Sequence, residues 1–144
     1  MVNMEDCVNS LAVDHPLDTT PKYSVTQAAK IVDISEHTLR YYDDMKLFPF
    51  LQKNEKGKRL FSEADMQWAK LLECLSNSGL SIKEMKKYVD LCIIGDSTVG
   101  ERFEILKKQE RVIRNQIKEK KKQLKLLQFK IDYYKEWSKR EGQI

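Results

Sequence analysis

The sequence predicts a mostly α-helical chain carrying one small β hairpin. Three observations lead there. Ser24, Ser35, Ser62 and Ser81 each precede a stretch with helical apolar spacing, as capping residues do. The segment from Leu47 to Phe61 breaks that spacing with Pro49, Asn54 and Gly57, and reads as a short hairpin with a basic tip. From about Glu101 to Ser138 there is neither Pro nor Gly, and apolar residues recur at alternating steps of three and four, the spacing of a coiled coil.

The elements follow in order. Residues 1–21 hold Glu5, Asp6, Asp14 and Asp18 without a Lys or Arg, with Pro16 and Pro21, and are expected to form a mostly disordered extension. The first helix starts at Ser24, with Gln27 at capping-box spacing and Val25, Ala28, Ala29, Ile31 and Val32 as its apolar face. Asp33-Ile34 makes a tight turn, since Asp tolerates a left-handed backbone. Ser35 caps the second helix, which turns Leu39 inward and fades near Asp44-Met45. In the hairpin, Lys53, Lys56, Lys58 and Arg59 face only Glu55. The third helix runs from the Ser62 cap to about Asn77, with Ala64, Trp68, Leu71, Leu72 and Leu75 on one face, and Gly79 closes it. The fourth opens with Ser81-Ile82-Lys83-Glu84, a second capping box, buries Ile82, Met85, Val89 and Cys92, and ends before Gly95.

The last helix carries a seam: Phe103, Leu106, Glu110, Ile113, Ile117, Lys120, Leu124, Leu127, Ile131, Tyr134 and Ser138. At 1.5 Å per residue its roughly 38 residues span about 57 Å. One helix cannot bury such a seam, and the simplest partner is the same helix of a second copy, giving an antiparallel coiled coil in a homodimer. Leu106, Ile113, Ile117, Leu124, Leu127, Ile131 and Tyr134 are its expected dimerisation residues. Glu110 and Lys120 fall on the seam and face each other in an antiparallel pair. A second row, Leu126, Phe129, Tyr133 and Trp137, is expected to dock on the partner's third and fourth helices. The expected domains are an extension at 1–21, a head at 22–95, and a linker with the dimerisation helix at 96–144.

Composition narrows the function. Charged residues are 33% and hydrophobic residues 41%, and no apolar run approaches the roughly 20 residues of a membrane span. The N-terminus lacks the basic and apolar regions of a signal peptide. Three scattered cysteines, Cys7, Cys74 and Cys92, argue against a disulfide framework and for a reducing cytoplasm. Net charge is +4, but residues 101–144 carry 14 Lys and Arg against 7 Asp and Glu, while residues 1–100 carry 12 against 15. Bulk basicity therefore lies in the long helix, and any nucleic-acid affinity of the head rests on placed residues. An enzyme lacks its parts: there is no Gly-rich phosphate loop, and the histidines are His15 in the extension and His37 on the second helix.

Two short helices joined by a tight turn, with cationic and polar residues opening the second, suit the major groove of double-stranded DNA. The strings that carry a resemblance are Val25-Thr26-Gln27-Ala28-Ala29, Ser35 to Asp43 with Thr38-Leu39-Arg40-Tyr41-Tyr42, and Arg59-Leu60-Phe61-Ser62-Glu63-Ala64-Asp65. With the order helix-turn-helix, wing, helix pair, long helix, the chain resembles the MerR family of transcription regulators from about Lys22 to Ser138. The resemblance implies a winged helix-turn-helix head in which Arg40 and Tyr41 touch DNA backbone and bases, Tyr42 packs or touches phosphate, and Arg59 with Lys56 and Lys58 reaches the backbone from the wing. His37 and Thr38 are the expected base readers, and Thr26 of the first helix is a further expected DNA-binding residue. It also implies a homodimer on a palindromic operator that bends and untwists an over-long promoter spacer, so that RNA polymerase, an indirect partner, engages both elements.

The signal is less legible. Nothing after residue 92 is Cys or His, where metal-sensing relatives carry a cysteine pair, so no metal and no cofactor are expected. Few residues follow Trp137, so no separate effector domain is expected. In aldehyde- and thiol-stress relatives a reactive Cys lies early in the third helix, where Met66 stands here. Cys74 and Cys92 are the candidate electrophile-sensing thiols. Two rival functions stand beside the activator: a simple repressor, and an architectural or scaffold protein that uses the same head on DNA and the coiled coil on another protein.

Overall fold

The computed structural model describes residues 18–142, so of the disordered extension expected for 1–21 only residues 18–21 are described, and they differ from that expectation. Residues 18–21 are tied down: Asp18 accepts a backbone bond from Ala64 and its carboxylate pairs with Lys22 at 2.9 Å. The chain then forms α1 (Val25–Val32), α2 (Glu36–Asp44), β1 (Gln52–Lys53), β2 (Arg59–Leu60), α3 (Glu63–Asn77), α4 (Ile82–Ile94), a 3₁₀ turn at Asp96–Thr98 and α5 (Val99–Glu141). The mostly helical expectation with a small wing holds, and the helix boundaries follow the serine caps.

Each cap does its local work. Ser24 Oγ accepts from Gln27 N while Gln27 Oε1 accepts from Ser24 N, a reciprocal box. Ser62 and Asp65 form a second, with distances of 2.9 and 3.0 Å. At Ser81 the box is incomplete, because Glu84 Oε1 accepts from the serine hydroxyl rather than from its backbone N–H. Asp33 closes α1 in the left-handed region, with φ 56°.

Two compact units divide the chain, residues up to Ile105 and residues from Leu106. In the first, Ala28 and Val32 of α1, Leu39 of α2, Leu47, Phe61, Leu72 of α3, and Met85 and Val89 of α4 form one core. Each of these side chains larger than alanine contributes roughly 1.5–3 kcal/mol by leaving water. Phe48 and Phe61 meet edge to face at 5.6 Å. Trp68, half-buried on α3, donates from Nε1 to the Leu47 carbonyl at 2.7 Å, which pins the approach to the wing. This unit runs past Gly95, where the head was expected to end. Thr98 donates to the Leu91 carbonyl, Arg102 donates to the Gly95 carbonyl, and Ile105 packs against the core.

The second unit is the rest of α5, residues 106–141, about 54 Å of helix at 1.5 Å per residue. It buries no residue: Ile117, Leu124, Leu127, Ile131 and Tyr134 are about half exposed, and Phe129 is 71% exposed. Tyr133, Tyr134 and Trp137 cluster, with ring centroids 5.6–6.3 Å apart.

Candidate nucleic-acid interface

The second helix of the pair is built outward from its cap. Ser35 Oγ accepts from Thr38 N and donates to Thr38 Oγ1 at 2.8 Å, so the start of α2 is fixed and the Thr38 hydroxyl keeps its own proton to donate. Leu39 turns into the core. His37, Arg40 and Tyr41 are exposed, as is Thr26 on α1. Arg40 rests 3.6 Å from Glu36, one turn back, an exposed pair that a phosphate can displace.

Of the two roles expected for Tyr42, packing and phosphate contact, it takes packing. Its ring is 3% exposed and lies in the core, and its hydroxyl donates to Glu73 of α3 at 2.7 Å. Burial, then the bond to Glu73, holds the phenol protonated far above its ordinary value. Tyr42 therefore joins α2 to α3 and presents nothing to a ligand.

Arg59 is held within the head. Its guanidinium was expected to reach DNA backbone, but Nε donates to Asp43 at 2.7 Å and Nη2 to Asp44 at 2.8 Å. The arginine side chain is 21% exposed and that of Asp43 17%. Two carboxylates in the last turn of α2 meet the negative end of the helix dipole. Arg59 relieves both and in doing so fastens β2 to α2.

The wing itself is a tight hairpin. Lys53 pairs with Arg59 and Gln52 with Leu60. Asn54 closes the loop: its N–H reaches the Lys58 carbonyl, and its side-chain oxygen accepts from Lys56 N and Lys58 N. Gly57, at φ 76°, supplies the left-handed residue such a three-residue loop needs. An unexpected bridge between Tyr23 and Phe61 carries the hairpin back to the start of α1. Lys53, Lys56 and Lys58 are exposed and have no ion-pair partner among the described residues. The cations left available in the head's wing are thus these lysines rather than Arg59.

The cysteines part ways. Cys92 is a free, half-buried thiol whereas Cys74 is not free. Cys92 lines a cavity of about 300 Å³ with Pro49, Phe50, Trp68 and Ile93. Burial pushes its thiol up, against the pull of Arg102, whose Nη1 lies 3.9 Å from the sulfur. Among the described residues no group of three or more His, Cys, Asp and Glu side chains is placed to hold a metal ion. No helix among them is long and apolar enough to cross a membrane.

Sequence reasoning missed the partners of Arg59 and Tyr42, namely Asp43, Asp44 and Glu73. It also missed the Arg102 network around Thr98 and the left-handed Lys46 at φ 64° that lets Leu47 turn inward. Adjacent carboxylates at a helix C-terminus are a signal for an outside cation, and would have pointed to Arg59.

Comparison with known proteins agrees with this architecture. Residues 23–92 match the model of the MerR HTH family regulatory proteins. A helix-turn-helix-type transcriptional regulator of Haemophilus influenzae is 40% identical over 112 residues, 78% of this chain and 83% of that protein. The crystal structure of HiNmlR, a MerR family regulator lacking the sensor domain, bound to promoter DNA, superposes with a TM-score of 0.67 at 39% identity. It covers 83% of this chain and 94% of that one. A MerR family regulator structure from Listeria monocytogenes gives a TM-score of 0.69 at 34% identity, over 78% of this chain and 86% of the other. With its capped helix pair, its wing and its long final helix, this chain belongs to the MerR family of helix-turn-helix transcriptional regulators, and is not an enzyme.

Proposed function

We propose that this protein is a cytoplasmic homodimer that binds a palindromic operator within a promoter and activates transcription by bending and untwisting the duplex. The observation that carries the reading is the fastening of α2 to the wing. Arg40, Tyr41 and His37 stand exposed on a helix whose base is fastened, through Arg59, to a hairpin bearing unpaired lysines. Arginine suits bidentate contacts to guanine or phosphate, and tyrosine brings a rigid ring with a donor. Lys53, Lys56 and Lys58 set position through phosphates, while His37, Thr38 and Arg40 read base edges. Arg59 acts as the strut that holds the wing at a fixed angle to α2. Tyr42 acts only through the core.

Two such heads need a spacer. The exposed seam of residues 106–141 supplies it by pairing with a second copy, so that the unit from residue 22 to Ile105 serves as the DNA-binding head and the following segment as the dimerisation element. RNA polymerase is then an indirect partner, met through the distorted promoter. The test is Arg40→Ala. It is expected to abolish operator retardation in a mobility-shift assay while sedimentation still reports the wild-type dimer; retardation equal to wild type would show that α2 is not the reading helix.

A further inference from the structure

The seam of α5 does more than imply a partner. On the heptad that places Phe103 at position a, Glu110, Ile117 and Leu124 are also a positions, and Leu106, Ile113 and Lys120 are d positions. In an antiparallel pair each a residue meets a d residue of the other helix. Centring the pair on Asn115 sets Leu106 against the partner copy's Leu124, Ile113 against its Ile117 and Glu110 against its Lys120. Every apolar residue of that stretch then meets an apolar one, and both charged residues meet an opposite charge. Sliding by one heptad in one direction sets Glu110 against Leu127 and Lys120 against Ile117. Sliding in the other sets Glu110 against Ile113. A parallel, in-register pair stacks Glu110 on Glu110 and Lys120 on Lys120.

The monomer's own contacts fit this arrangement. Glu110 accepts from Lys107 at 3.0 Å and from Arg114 at 3.4 Å, both on one flank of the seam. A carboxylate entering an interface with those cations beside it has its remaining lone pairs satisfied, the condition under which a buried ion pair is tolerated. Lys120 has no ion-pair partner among the described residues, so its ammonium is available to a second chain. Leu106, Ile117 and Leu124 are exposed in the single chain.

Within the antiparallel dimer that the seam leads one to expect, we propose that the two copies of α5 are centred on Asn115 and that two symmetric Glu110–Lys120 pairs select this register. The inference rests on the dimer reading given above. Glu110→Lys leaves only cations at both seam positions, and Lys120→Glu leaves only anions. Each variant repels itself, whereas the two attract each other at both pairs.

Sedimentation of the full chain tests this with four samples: wild type, each single variant, their equimolar mixture, and the double variant Glu110→Lys with Lys120→Glu. The expected result is a dimer for wild type and a weakening of self-association by at least about a hundredfold for each single variant. Dimers return in the mixture and in the double variant. Far-ultraviolet circular dichroism, and Trp68 emission in a Trp137→Phe background, check that each single variant keeps a folded head. Single variants that dimerise like wild type, or a mixture that stays monomeric, would overturn the register while leaving the dimer. A monomeric wild type at tens of micromolar would overturn the dimer reading itself.

Discussion

Replacing Arg59 by glutamine separates a strut from a phosphate contact. The guanidinium holds Asp43 and Asp44 at 2.7 and 2.8 Å, but the two arms differ in worth. Asp44 is 62% exposed, so water screens its arm to about 0.5 kcal/mol or less. Asp43 is largely shielded, and a charge-assisted bond there contributes about 1.5–3 kcal/mol. The loss expected from Arg59→Gln is therefore about 2 kcal/mol, or a Tm lower by roughly 10 °C for a head of this size. On DNA the wing must then be ordered at the cost of binding, so operator affinity falls. The wing lysines are retained, so the slope of log K against log salt stays at the wild-type value. Removal of a phosphate contact would instead lower that slope by about 0.9. Asp43→Asn gives the sharper contrast. A strut loses its anchor and binding weakens; an arginine that works on phosphate is released and binding tightens. Tighter binding by Asp43→Asn, with a reduced slope for Arg59→Gln, would refute the strut.

Other expectations follow from the same geometry. Glu36→Gln frees Arg40 from a competing exposed pair and is expected to tighten operator binding about twofold in a titration at fixed salt; weaker binding would mean that Glu36 itself reads a base. Tyr42→Phe loses the bond to Glu73 and is expected to lower unfolding free energy by about 1.5 kcal/mol in urea, with operator affinity unchanged at a temperature where the head stays folded. An affinity loss in fully folded Tyr42→Phe would return the hydroxyl to the DNA face. Cys92 is expected to alkylate more slowly than a free cysteine at pH 8, because burial raises its pKa and keeps the thiol neutral. Its neutral form is favoured by folding, so that contribution is present below the ordinary thiol range and fades as pH rises through the raised value. Arg102 pulls the other way, so Arg102→Ala should move the midpoint of the alkylation rate to higher pH; a shift to lower pH would show that the guanidinium does not act on this sulfur.

How much was legible depended on the range of the interactions. The serine caps, the left-handed Asp33 and the closing glycines act within a few residues of themselves, and the chain spells them out. The three-four seam of α5 is equally local. The wing was legible as a hairpin through Asn54 and Gly57, but its strands are only Gln52–Lys53 and Arg59–Leu60, because their extent is set by pairing. The ion pairs of Arg59 were not legible because its partners lie 16 and 15 residues away, and an arginine beside lysines looks like one more contact. Tyr42 carried a warning: it stands three residues after the inward Leu39, hence on the same face of the helix. The adjacent Tyr41 points elsewhere and is exposed. Nothing in the string Tyr41-Tyr42 marks which ring is core, and only the helical period decides it.

The central claim is that two identical heads grip one palindrome. A hydroxyl-radical footprint on the region upstream of the gene, at physiological salt and with rising protein, tests it most directly. One protected site with two-fold symmetry is expected, lying between the −35 and −10 elements. Half-sites would fill together, and hyperreactive positions at the centre would mark a distorted duplex. Uniform protection that spreads along the fragment with protein concentration, without symmetry or a distorted centre, would contradict it.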